Sequence, residues 1–170
     1  MSYVVLGLVE SCEPATPYAL KRAAERSVFH FWSVPHTQVY SECARLAAAD
    51  HLTEQREEYG RRRRIYTLTD TGRAALNAWR AEPASEAVAV RDPGLVKLFF
   101  GADPGPLAEA ELAAHRAQLQ EYEQLHATAE TLGMRLATEA GIGHEREFVR
   151  FWSDILSRSR RRTRRSTSSP

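Results

Sequence analysis

The chain has 170 residues, of which 43% are hydrophobic and 26% charged, the balance of a soluble globular protein built as one ordinary domain or two small ones. No apolar run approaches the roughly 20 residues that a membrane span needs, so no membrane partner is expected. The formal net charge of +1 conceals an asymmetry: residues 1–81 carry +2, residues 82–156 carry −7, and residues 157–170 carry six arginines and no acid.

The N-terminus has neither a basic leader nor a small-residue cleavage pattern, so no signal peptide is expected. Its apolar run YVVLGLV (residues 3–9) fits a buried strand or a buried helix alike; the β-branched valines favour strand. Pro14, Thr16 and Pro17 then break the chain, and Thr16 is placed to cap a helix with Pro17 at its first position. In YALKRAAERS, Leu20 and Ala24 lie one turn apart, and the aromatic FHFW packs at the helix end. A further helix begins near Pro35. Val39, Cys43 and Leu46 form its buried stripe at i, i+4 and i+7, while His36, Thr37, Tyr40, Ser41 and Arg45 lie on its polar face. Cys12 and Cys43 lack metal spacing and fit a reducing cytoplasm.

LTEQREEYGRRRRIYTL reads as a hairpin with strands at 52–57 and 63–68 and Tyr59-Gly60 at the turn. Thr69 and Asp70 open another helix, with Leu76 and Trp79 on one side. The hairpin is therefore a wing, and Arg61, Arg62, Arg63 and Arg64 sit on its tip and returning strand. Four adjacent cations bury nothing, and of nearby carboxylates only Glu57 and Glu58 stand out. A phosphate backbone is the economical partner; a solubilising turn is the bland alternative.

Taken in order, these residues resemble the PadR family of winged-helix transcriptional regulators. The likeness covers roughly residues 3–79. It rests on Phe31-Trp32, on Gln38-Val39-Tyr40, on Leu46 with Leu52, on Arg61 to Arg64, and on the stretch YTLTDTGR from Tyr66 to Arg73. Three positions depart from the pattern: Thr16-Pro17-Tyr18 replaces His-Gly-Tyr, Pro35 replaces Ser, and Ser41 replaces Pro, so the likeness does not give the operator. The resemblance implies a helix for residues 3–9 and a recognition helix in the major groove. His36, Thr37, Gln38, Tyr40 and Ser41 would be its contact face, with Gln38 able to read adenine and Tyr40 on a phosphate. Repression rather than activation follows by family analogy.

Residues 82–91 read as a linker, and Asp92-Pro93 opens a short apolar helix, LVKLFFG, ended by Gly101. From 106 to about 140 a long helix of about 50 Å is expected. Leu112, Leu119 and His126 recur at seven, as do His115, Tyr122, Ala129 and Leu136, an imperfect heptad. Its apolar edge should meet a second chain, giving a homodimer, with packing against the following helix of the same chain as the alternative that holds in part. Gly141-Ile142-Gly143 reads as a break. After it, Phe148, Trp152 and Ile155 form one stripe with Phe151 beside them, expected to dock against the long helix, chiefly that of the partner subunit. Residues 158–170 are expected to be disordered and basic.

The expected fold is mainly α. A winged helix-turn-helix domain with a small two-stranded wing (1–81) precedes a linker (82–91), an all-α dimerisation domain with one long helix (92–157) and the tail. The resemblance adds a candidate aromatic effector, whose pocket would be lined by Trp79, Phe99, Phe100 and Trp152; ordinary core packing is the alternative. The chain has no HExxH, no GxSxG, no zinc-spaced cysteine pair and no phosphate-cradling loop, so neither catalysis nor a metal or cofactor is expected. The resulting function is a dimeric DNA-binding repressor on an inverted repeat. A winged-helix protein adaptor and a nonspecific architectural DNA binder are the rivals.

Overall fold

The apolar run that composition left between strand and helix is helix α1 (Ser2–Cys12). Val5 and Val9, one turn apart, are fully buried with Leu6 beside them; packing a continuous apolar face outweighs the weak bias of β-branching against helix. The computed structural model that shows this describes residues 2–28, 32, 36–57, 62–84 and 92–166, with the side chains of residues 36, 37 and 163–166 outside the description. The chain divides into two compact units, Met1–Glu86 and Ala87–Pro170.

In the first unit, α2 (Pro17–Glu25) starts as its residues dictate: Thr16 Oγ1 accepts from the amide of Ala19 at 3.2 Å, with Pro17 at the first position. Helix α3 (His36–Ala48) follows. Its stripe of Val39, Cys43 and Leu46 is no more than 1% exposed and joins Leu20, Ala24, Leu52, Tyr66, Leu68 and Leu76 in one core. Burial pushes the Cys43 thiol up to about 12, so it is a packed apolar group and not a nucleophile.

Strands β1 (Leu52–Arg56) and β2 (Arg64–Leu68) pair antiparallel, from Leu52 opposite Leu68 to Arg56 opposite Arg64. Each is one residue shorter at the tip than the sequence suggested. Ala15 and Tyr66 exchange backbone hydrogen bonds of 3.1 and 2.8 Å, which ties the root of the wing to the α1–α2 connection. Helix α4 (Asp70–Ala81) is capped by Thr69, whose Oγ1 accepts from the amide of Gly72 at 2.9 Å. Any Cβ on Gly72 would collide with the carbonyl oxygen of His51, so only glycine fits there.

The second unit holds α5 (Pro93–Phe99), α6 (Pro104–Ala127) and α7 (Leu132–Ser166). It corrects three expectations. The long helix does not run from 106 to 140; it stops at Ala127 and a new one starts at Leu132. Thr128 ends the first, its hydroxyl bonding back to the carbonyls of Gln124 and Leu125, and Thr131 caps the second by accepting from Met134 N at 3.2 Å. Gly141-Ile142-Gly143 is no break but lies inside α7, where Gly141 makes room for the ring of Tyr122. The basic tail is not disordered from residue 158, since α7 continues to Ser166.

Helices α6 and α7 lie antiparallel. His115 Nδ1 meets Glu145 Oε2 at 2.6 Å, His126 Nδ1 meets Thr138 Oγ1 at 3.0 Å, and Arg160 reaches Glu109 at 3.0 Å. Trp152 is wholly buried with Ala108 and Leu112, and Phe148, Phe151 and Ile155 pack partly buried around them. The stripe thus docks on the long helix α6, but Trp152 is covered by the α6 of its own chain where a partner's was chiefly expected. The heptad is likewise cut: Leu136 belongs to α7, and Tyr122 packs inside the unit at 5% exposure.

Candidate nucleic-acid interface

Anchoring one face of α3 fixes what the other presents. With Val39, Cys43 and Leu46 in the core, Gln38, Tyr40 and Ser41 stand exposed, Tyr40 by 50%. Ser41 Oγ donates to the carbonyl of Gln38 at 3.2 Å, a local bond that an incoming acceptor can replace. Arg45 is already engaged, with Glu42 Oε1 at 2.7 Å and Ser2 Oγ at 2.8 Å. The side chains of His36 and Thr37 lie outside the described residues.

Helix α3 passes into the wing through a tight turn. Asp50 has a positive φ of 58°, and His51 donates its amide to the carbonyl of Leu46 at 2.9 Å. In the wing, Arg62 is exposed, with a left-handed φ of 48°, while Arg61 lies outside the described residues. Arg63 pairs with Glu57 at 2.9 Å. Arg64 reaches Glu54 at 3.5 Å, and so does Arg56, at 3.3 Å. The arginine cluster is therefore partly neutralised from within, by a second acid that the sequence reading passed over. Arg56 is a wing cation that its distance from the arginine run conceals. Both could have been found from alternation, because residues 54 and 56 share a face and the register sets Tyr66 and Arg64 opposite them.

Electrostatics at the wing follow from these contacts. The hydroxyl of Tyr66, donating to Glu54 Oε2 at 2.9 Å, and then the two arginines hold the Glu54 carboxyl below the usual carboxylate range. Arg63 does the same to Glu57. Both acids are ionised wherever the protein is folded near neutrality.

Of the four aromatics expected around an effector, one lies in the first unit and three in the second. Trp79 belongs to the first unit and stacks on Tyr3, with ring centroids 5.1 Å apart and planes within 7°. Phe99 and Phe100 are 84% and 80% exposed on α5 and its cap, and Trp152 is core. A cleft of about 360 Å³ between α6 and α7 is lined instead by Leu112, Arg116, Ser153, Leu156 and the arginines 160 and 161. Among residues expected at a dimer seam, Leu112 and Tyr122 are buried by their own chain and Leu119 is half-buried, whereas Leu136 is 56% exposed.

Residues 5–78 match the transcriptional regulator PadR-like family, and residues 90–159 match the virulence activator alpha C-terminal region. The negative transcriptional regulator PadR of Bacillus subtilis (strain 168) is 27% identical over 92% of this chain and 96% of its own length. Residues 5–78 thus form a PadR-like domain of the transcriptional-regulator type. Two solved structures of the Bacillus subtilis PadR share the fold. Its complex with operator DNA has a TM-score of 0.80 at 22% identity, covering 93% of this chain and 98% of that one. Its complex with p-coumaric acid has a TM-score of 0.73 at 25% identity, covering 93% and 94%. The PadR-like region spans α1 through α4 of this chain. It therefore contains both the exposed face of α3 and the arginine-bearing wing. Among the described residues no helix is long and apolar enough to cross a membrane.

Proposed function

We propose that this PadR-like chain is a cytoplasmic, sequence-specific DNA-binding repressor that works as a homodimer on an inverted repeat. The observation that carries this reading is the exposed row of Gln38, Tyr40 and Ser41 on a helix whose opposite face is locked in the core, next to a wing bearing Arg62, Arg63 and Arg64. Gln38 is the base reader, Tyr40 and Ser41 contact bases or phosphates, and His36 and Thr37 extend that face. On the wing, Arg61, Arg62 and Arg63 take the phosphate backbone.

One winged helix makes few base contacts, so two copies at a spacing set by symmetry supply the specificity. Leu132 and Leu136, one turn apart on α7 and 71% and 56% exposed, offer the second unit an apolar strip for that partner. The relative that binds operator DNA, and its p-coumaric acid complex, support a DNA-binding regulator responsive to a small aromatic acid. For this chain, the exposed rings of Phe99 and Phe100 and the Tyr3–Trp79 stack are aromatic surfaces on which such an effector could be received.

A protein-binding adaptor is favoured by one observation, the pairing of Arg63 and Arg64 with Glu57 and Glu54, which lowers the wing's call on phosphate. Selection of bound duplexes from random DNA separates the readings. Enrichment of an inverted repeat supports the repressor; recovery of unenriched DNA supports architectural binding, and recovery of none supports the adaptor.

A further inference from the structure

Residues 52–68 contain five arginines and three glutamates, so the wing is far less cationic than its arginine run suggests. Of the two glutamates among the described residues of this stretch, Glu54 is held differently from Glu57. Glu54 is braced from below by Tyr66, which is 1% exposed and donates its hydroxyl to Oε2 at 2.9 Å. Above it, Arg56 and Arg64 close on Oε1 at 3.3 and 3.5 Å. Their side chains are 64% and 48% exposed, while that of Glu54 is 23% exposed. The acid is thus the fixed member, and the cations are the ones free to move.

We propose that Glu54 sets the phosphate affinity of the DNA-binding site: a built-in carboxylate that occupies Arg56 and Arg64 and withholds them from the duplex backbone. The inference rests on the DNA-binding reading above. A carboxylate offers two oxygens to a guanidinium much as a phosphate does. A duplex phosphate must therefore displace Glu54 or share its arginines, and in either case it meets a negative charge that cannot swing away. Nonspecific affinity, which depends on cations releasing counterions from phosphates, is reduced by the two tied arginines. Base-edge contacts made from α3 involve neither arginine and keep their full strength. The sequence-independent part of the affinity falls alike on operator and random duplex, and the ratio between them is kept.

The test uses Glu54→Gln in the full chain, which keeps an oxygen to accept from Tyr66 and removes only the charge. Freeing two cations should steepen the salt dependence of random-duplex binding by about 1.8 in log–log slope. It should raise random-duplex and operator affinity by a similar factor, leaving their ratio unchanged. In a chain also carrying Arg56→Ala and Arg64→Ala, Glu54→Gln should change neither slope nor affinity. An unchanged slope, or the same gain without the two arginines, overturns the proposal, since the latter would be a mere effect of net charge. A measurement independent of how well that variant folds is Arg56→Ala with Arg64→Ala in the presence of Glu54. It should leave the random-duplex slope nearly as in the parent, and a loss of about 1.8 overturns the proposal. If the parent chain binds no duplex at any salt concentration, the DNA-binding reading falls and this inference with it. If the parent binds and Glu54→Gln is silent, only the inference falls.

Discussion

The ring of Tyr122 on α6 lies flat against the bare backbone of Gly141 on α7, where a Cβ would stand 2.6 Å from Cε1. This notch lets the two helices approach, and it explains a glycine in the middle of a 35-residue helix. Alanine is the better helix former by about 0.5–1 kcal/mol, but here it would overpack the contact by about 1–3 kcal/mol. Gly141→Ala should therefore lower the thermal unfolding midpoint. Gly143→Ala, where the added methyl meets open space, should raise it; opposite signs for these neighbours are the check.

Trp152 gives a cleaner view of what the second unit buries without a partner. It is wholly enclosed within its own chain, so Trp152→Ala should destabilise by about 3–5 kcal/mol. The loss should be the same at low and high protein concentration. A loss that shrinks as concentration rises would instead mark Trp152 as a subunit contact.

Leu136 poses the complementary case. Being 56% exposed, it adds little to the fold of one chain, and Leu136→Asp should change unfolding stability by no more than about 0.5 kcal/mol. In sedimentation at fixed concentration the same variant should shift mass from dimer to monomer. An unaltered dimer would remove this strip of α7 from the proposed interface.

Acid sensitivity of the first unit should trace in part to Glu13. It accepts from the amide of Leu68 at 2.9 Å and pairs with Arg73, and these two contacts, the amide first, hold its carboxyl below the usual range. A carboxyl with a depressed folded-state value adds stability above its unfolded value. That stability is lost as pH falls from about 4.3, the ordinary glutamate value, through the lower folded value. Glu13→Gln should therefore lower the midpoint at pH 7 and flatten its decline below pH 4. Glu10, held down by Arg80, should leave a residual slope.

Much of the first unit was legible because burial imposes a period. Val39, Cys43 and Leu46 had to share a face, and Thr16-Pro17 and Thr69 are caps with few other uses. The N-terminal run was not, since β-branching and helical burial pull the same residues in opposite directions. In the second unit two glycines drew the break away from Thr128 and Thr131, whose capping is a weaker signal in sequence than a Gly-x-Gly. What a glycine does depends on its neighbour across the interface, here Tyr122, which is 19 positions away in sequence. The wing's charge balance was hidden for the same reason. Register places Arg56 opposite Arg64 and brings both to Glu54, and adjacency in the sequence shows only the run of four.

The central claim is that the exposed face of α3 reads bases while the wing holds phosphate. Its most direct test is the affinity of the full chain for its selected duplex and for a random one, measured across salt concentration, for the parent and for Arg61→Ala with Arg62→Ala. Loss of two phosphate contacts predicts a uniform weakening on both duplexes and a slope shallower by about 1.8, with the ratio between the duplexes preserved. An unchanged slope, or a loss confined to the selected duplex, would contradict the account.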